Sequence, residues 1–369
     1  MRIVGTTFLV LSLSAVSALA SCSSQSSGAG ASAGSSAGAA GSGGMTASGP
    51  VCVMPATGLP SDLFCTGLYV GGDATKLAAD VMPYKPGVVL WSDGAEKHRY
   101  LYLPPSATID TSNMDAWVFP VGTKVWKEFV VDGVLVETRL LWKRDASTWA
   151  IGTYVWDQAK GSATLNLAPK GTILPSGYEI PTTKDCDKCH HGGSDKVLGI
   201  EAVAMGLPLA EGATLAVLAQ KGALSAPPTT TSINLPEDVT GKAGPALGYL
   251  HANCGMPCHS TRGLGHETEL VLRLRAGEFW PDGTTPGAPV AAPATDMVKA
   301  MIGQPPLTAS VAQQFPGANR VTPGAHDKSV VWLVSHLRGN YQMPPLVSHQ
   351  VDEVGMKTLA DWIDALPPN

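Results

Sequence analysis

Residues Lys124 to Trp142 read KVWKEFVVDGVLVETRLLW, and this stretch decides the fold class. Two runs rich in β-branched and aromatic residues flank Asp132-Gly133. A two-residue turn between antiparallel strands needs positive φ, which Gly adopts freely and Asp tolerates, so the stretch predicts a hairpin. Working outward, Val88 to Trp91, Arg99 to Leu103 and Trp149 to Trp156 are short runs of the same kind, separated by turn residues. Five or more strands over residues 68–167 predict an antiparallel β-sandwich or partial barrel, the first half of an α+β chain. Trp91, Trp117, Trp126, Trp142, Trp149 and Trp156 are expected to fill its core rather than bind sugar.

Beyond Gly171 the period changes. Glu201 to Leu218 has helical apolar spacing interrupted by Gly206 and Pro208, and Pro227-Pro228 marks a linker. Gly244 to Asn253, Ser329 to Leu337 and Asp352 to Leu366 read as helices, the last with Val354, Leu359, Trp362, Ile363 and Leu366 on one face. There is no internal repeat.

The other end of the chain is read as a processing signal. Arg2 precedes a largely apolar, uncharged stretch from Ile3 to Leu19, which ends in Leu19-Ala20-Ser21-Cys22. That ending resembles the bacterial lipobox, where cleavage precedes the cysteine and the thiol takes a diacylglyceryl group. An ordinary secretory peptide cut near Ala20 is the competing reading. Ser23, in place of an aspartate, points to the outer membrane. Residues 23–49 are nearly all Ser, Gly and Ala, a composition that cannot offset the entropy of ordering and so predicts a tether. No later stretch reaches the ~18 apolar residues of a spanning helix, so the acyl chains are the expected membrane anchor. The predicted organisation is a signal peptide over 1–21 and a lipidated tether over 22–50. A β-rich domain follows over 51–170, then a helical remainder over 171–226 and 227–369, each part with one motif described below.

The net charge is −5 and the basic residues are scattered, so nucleic acid is not an expected partner. Of seven cysteines, Cys22 is assigned to the lipid and six remain in three close pairs. In an exported chain Cys52 and Cys65 predict a disulfide. Cys186 and Cys189 precede His190 in the C-x-x-C-H spacing of c-type haem attachment. Two thiols add to the two vinyl groups of the porphyrin, and the next residue places an imidazole beneath the iron. The same residues would suit a zinc site or a redox dithiol; export and a second motif favour haem. That second motif, Cys254, Cys258 and His259, carries three residues between its cysteines instead of two. It stands between a short helix and Met343-Pro344-Pro345, with the last helix behind. That order resembles a class I cytochrome c, and the resemblance implies Met343 as sixth ligand opposite His259. For the first haem Met205 is the nearest candidate, followed by His191, His251 and His266.

The whole set resembles a family of exported c-type cytochrome proteins with two haem motifs. The phrases that carry the resemblance are Trp91 to Arg99, Phe119 to Thr123, Glu137 to Leu141, Cys186 to His190, Tyr249 to His259 and Met343 to Pro345. It implies a β-rich module fused to haem-binding regions, with haem c as cofactor and redox proteins as partners. Electron carriage is the leading expectation. A haem-dependent redox enzyme working at the first iron is the alternative, and a β module that binds a ligand or partner is a third. Asp93, Glu96, His98 and Arg99 could form a small site or a charged strand edge. No Ser-His-Asp set, phosphate loop or H-E-x-x-H pattern is present.

Overall fold

A computed structural model describes residues 51–368 apart from residues 194 and 289. The signal peptide, Cys22 and the tether therefore lie outside the described residues. In chain order the strands are β1 (Tyr69–Val70), β2 (Asp73–Leu77), β3 (Met82–Lys85), β4 (Glu96–Tyr102), β5 (Lys124–Val131), β6 (Val134–Lys143), β7 (Trp149–Asp157), β8 (Ser162–Leu165), β9 (Thr172–Ile173), β10 (Glu179–Ile180) and β11 (Glu211–Gly212). The α-helices are α1 (Thr183–Cys189), α2 (Ala202–Gly206), α3 (Leu215–Gln220), α4 (Ala243–Leu250), α5 (Asp296–Met301), α6 (Ala309–Gln314), α7 (Val330–His336) and α8 (Glu353–Ala365).

The chain is α+β. Seven strands form one antiparallel sheet in the order β11-β3-β4-β5-β6-β7-β8. The hairpin at Asp132-Gly133 is present, both turn residues having positive φ. In place of a second broad sheet or a closed barrel, the two faces of this sheet are covered by unlike material. Trp126, Leu140 and Tyr154 face Leu63, Leu68, Tyr69 and Val81 of the preceding segment. That segment is held by the Cys52–Cys65 disulfide, by the Tyr154 hydroxyl donating to the Pro60 carbonyl at 2.8 Å, and by Trp126 Nε1 donating to Thr66 Oγ1 at 3.1 Å. The opposite face carries Leu101, Val125 and Leu141 into the main core, shared with α2, α3, α4 and α8.

Val88 to Trp91, expected as a strand, is irregular. The strand lies just before it, as β3, and Pro86 ends it because the ring removes a ladder donor. The backbone of the irregular run is satisfied by a side chain: Trp91 N–H donates to Asn253 Oδ1 at 2.6 Å, and Asn253 Nδ2 donates to the Val89 carbonyl at 3.3 Å. The expected helix over Glu201 to Leu218 is two helices. Glu201 caps α2 through the Val203 and Ala204 amides, and Gly206 ends it, leaving the chain to add β11 to the sheet edge before α3. At the other end, α8 crosses α4 at Gly355, where a methyl group would stand 2.2 Å from the Tyr249 ring. No helix among the described residues is long and apolar enough to cross a membrane.

Candidate functional site

The first motif sits on α1. A capping box between Thr182 and Asp185 starts this helix, and the His190 amide ends it by donating to the Cys186 carbonyl at 3.0 Å. The second motif follows α4 without a break, but the helix widens to a π-turn over His251–Gly255. There the His259 amide donates to the Cys254 carbonyl at 2.7 Å, five residues back where the first motif spans four. A π-turn takes one more residue per turn than an α-turn. The extra residue between Cys254 and Cys258 is therefore absorbed by the wider turn. In both motifs the histidine amide closes on the first cysteine.

Each histidine has a hydrogen-bond partner at Nδ1. His190 Nδ1 lies 2.6 Å from the Lys196 carbonyl, and Thr268 Oγ1 lies 3.3 Å from His259 Nδ1. Because a carbonyl only accepts, His190 Nδ1 carries the proton and leaves Nε2 as the basic nitrogen, the arrangement of metal-ligating histidines, whereas the His259 ring also bonds the Leu270 backbone. Burial, then the charge of Lys127, lowers the pKa of His190 to about 4, so its ring is neutral at physiological pH. Burial likewise lowers that of His259.

The motifs also meet. Cys258 donates a thiol hydrogen bond to Cys189, which lowers the Cys189 pKa against the effect of burial, assisted by Arg139 and Lys127. Cys258 is raised correspondingly, and burial pushes Cys254 up to about 12. Ser260 Oγ donates to the Gly192 carbonyl at 3.0 Å, tying the residues after each motif together. Among the described residues, no three His, Cys, Asp or Glu side chains converge to hold a metal ion by themselves.

The remaining candidates separate. Met343 is half-buried and borders a recess of about 600 Å³ whose opposite wall includes Asp185 and Glu179, so its loop lies against the first motif's helix. Asp93 accepts the His349 and Gln350 amides of that loop at 3.0 and 3.1 Å. Met205 is buried in the main core, and His251 is committed at both nitrogens, to Glu201 Oε1 at 3.2 Å and to the Leu274 amide at 3.1 Å. His191 and His266 line a second recess of about 590 Å³ with Lys143 and Asp195. Glu96 and His98 pair with each other at the surface. Arg99 is buried on the other side of the same strand.

Sequence reasoning missed what lies under α1. Cross-strand register aligns Arg99 of β4, Lys127 of β5, Arg139 of β6 and Thr153 of β7 in one row, on the face that α1 covers. Arg139 is neutralised by Glu137 at 2.6 Å, which also accepts from the Tyr178 hydroxyl. Burial, with Arg99 and Arg139 alongside, pushes Lys127 down to about 7, and burial takes Lys97 to about 6. Both lysines are half-buried. The signal in the sequence was the i, i+2 spacing of Lys97 with Arg99 and of Glu137 with Arg139.

No protein-family profile matches the chain, and neither characterised proteins nor solved structures show a match to it.

Proposed function

We propose that this chain is an exported c-type haem protein that carries electrons, anchored to a bacterial outer membrane through Cys22. Cys186 and Cys189 would hold one haem by thioethers with His190 as axial ligand, and Cys254, Cys258 and His259 a second. The observation that carries the reading is the matching closure of the two motifs, by an α-turn at His190 and a π-turn at His259. It turns an irregular second spacing into the same local construction.

The residues present fit the group. Each motif offers two thiols and an imidazole with a hydrogen-bond partner at Nδ1, and beside the first motif the buried Tyr84 hydroxyl has no partner among the described residues. Haem bound there supplies a one-electron couple. The chain's own residues do the rest. Lys196 and Thr268 orient the imidazoles, and Met343 offers a thioether as sixth ligand. The crossing of α8 over α4 at Gly355 supports reading residues 227–369 as a cytochrome c-like unit.

The test is a count of haems and thioether bonds by intact mass and pyridine-haemochrome spectrum. The parent should carry two covalent haems, and Cys186→Ser/Cys189→Ser and Cys254→Ser/Cys258→Ser one each. A parent with no covalent haem would end the proposal. A carrier should also leave both irons unreactive toward cyanide, whereas ready cyanide binding would move the reading to a haem enzyme. Detergent partitioning should be lost in Cys22→Ser.

A further inference from the structure

The row under α1 is longer than the motif needs. Beyond Lys127 it continues through Arg99 to Tyr84 on β3, which lies next to Arg99 across the sheet. Arg99 is 7% exposed and Tyr84 4% exposed. The Tyr84 hydroxyl has no hydrogen-bond partner among the described residues. Lys127 makes no hydrogen bond or ion pair among them either; the charges around it are Arg99 and Arg139, with the thiols of Cys186 and Cys189 nearby. Among the described residues Arg99 has a single hydrogen bond, to the Lys97 carbonyl at 3.3 Å, and no carboxylate partner. Glu137, the acid in this neighbourhood, is already taken by Arg139 and Tyr178.

Neighbouring strands lie ~4.8 Å apart, so two basic side chains and an orphaned hydroxyl stand in line across three strands, with no anion between them among the described residues. An unpaired buried charge is costly because the desolvation it suffers is not offset by a partner, and an unpaired buried hydroxyl adds a cost of the same kind. A fold keeps such a row when something negative fills it. The cysteine thiols cannot, because as thioethers they carry no charge.

We propose that Tyr84, Arg99 and Lys127 bind the carboxylates of the porphyrin attached at Cys186 and Cys189, which makes the β-sheet one wall of the cofactor site. The inference rests on the haem reading above. The carboxylates of such a porphyrin leave the ring on the edge away from the vinyl groups consumed by the thioethers. Held by its vinyl edge at α1, such a ring would need partners for its carboxylates farther along the covered face, and Lys127, Arg99 and Tyr84 are the groups left without one there. Lys97, on the same face and two residues from Arg99, is engaged elsewhere, donating to the Leu90 carbonyl.

The experiment uses the full-length, haem-loaded protein and its Lys127→Gln, Arg99→Gln and Tyr84→Phe variants, with intact mass first and the midpoint potential of each haem second. The variants should keep thioether haem at Cys186/Cys189. Loss of a cation next to the carboxylates disfavours the added electron. One haem in Lys127→Gln and Arg99→Gln should therefore shift tenfold toward its oxidised form, 59 mV lower for a one-electron couple. Tyr84→Phe should shift it less in the same direction, and Arg99→Lys should restore most of the loss. Lys124→Gln, on the opposite face of β5, should leave both potentials where they are. Lys127 has no partner to strand, so Lys127→Gln reads out even if Arg99→Gln does not fold. A loaded Lys127→Gln protein with parental potentials overturns the carboxylate site alone, while a parent without haem at Cys186/Cys189 overturns the functional reading beneath it.

Discussion

Lys127 ties residue chemistry to stability. In the chain before haem is attached its folded pKa lies near 7, against the ordinary 10.5 it regains on unfolding. Between those values the unfolded chain binds more protons, so stability should rise with pH from about 7 upward, and the penalty is complete below 7. Lys97, held near 6, contributes with the same sign, while Arg99 and Arg139 stay charged throughout. Thermal melts should show Lys127→Met raising Tm more at pH 6 than at pH 10; an equal gain at both would remove Lys127 as the cause. Met343 is the other residue with a sharp expectation. Met343→Ala should abolish the weak sulfur-to-iron band at the red end of the oxidised spectrum and let one iron accept cyanide. Repeating it in each cysteine double variant identifies which motif it serves, a question raised by the recess Met343 shares with Asp185.

Single turns decide the geometry at the scale of elements. The π-turn at His251–Gly255 brings Gly255 so close to the next segment that a Cβ there would stand 2.2 Å from the Leu272 carbonyl. Gly255→Ala should cost about 1–3 kcal/mol in denaturant unfolding and reduce haem at the second motif, because the opposing atom is backbone and cannot turn aside. Gly277→Ala, where nothing lies within 4 Å, should be near neutral. The hairpin at Asp132-Gly133, the helices before and after the second motif, and the cysteine motifs were legible because each has a local signature. The cation row was not. A plain two-residue hairpin would set Lys127 opposite Thr138. A bulge beside Phe129 shifts the register by one, so Lys127 meets Arg139 instead. Val88 to Trp91 misled for a related reason: its composition suits a strand, yet Asn253, more than 160 residues later, takes its backbone.

For the whole molecule, the described chain forms one compact unit in which the helical part lies on one face of the sheet and the disulfide-stapled segment on the other. The Cys52–Cys65 bond closes a loop of separation 13, and its removal in Cys52→Ser/Cys65→Ser should lower stability by about 3 kcal/mol on loop entropy. Equilibrium unfolding of the two forms gives that difference directly, and a change below 1 kcal/mol would mean the segment holds its face of the sheet unaided. The contact between Cys189 and Cys258 bears on biogenesis. Under the export proposed above, a chain without haem would present these neighbouring thiols in a compartment whose disulfide oxidants withdraw electron pairs from thiols. Oxidation would bridge one sulfur from each motif, releasing two protons and two electrons to the oxidant and disabling both attachment sites at once. Maturation is then a race, or needs a reductant beforehand. Protein exported by cells unable to make haem should accumulate a Cys189–Cys258 cross-linked peptide in a non-reducing digest, and the loaded protein should lack it.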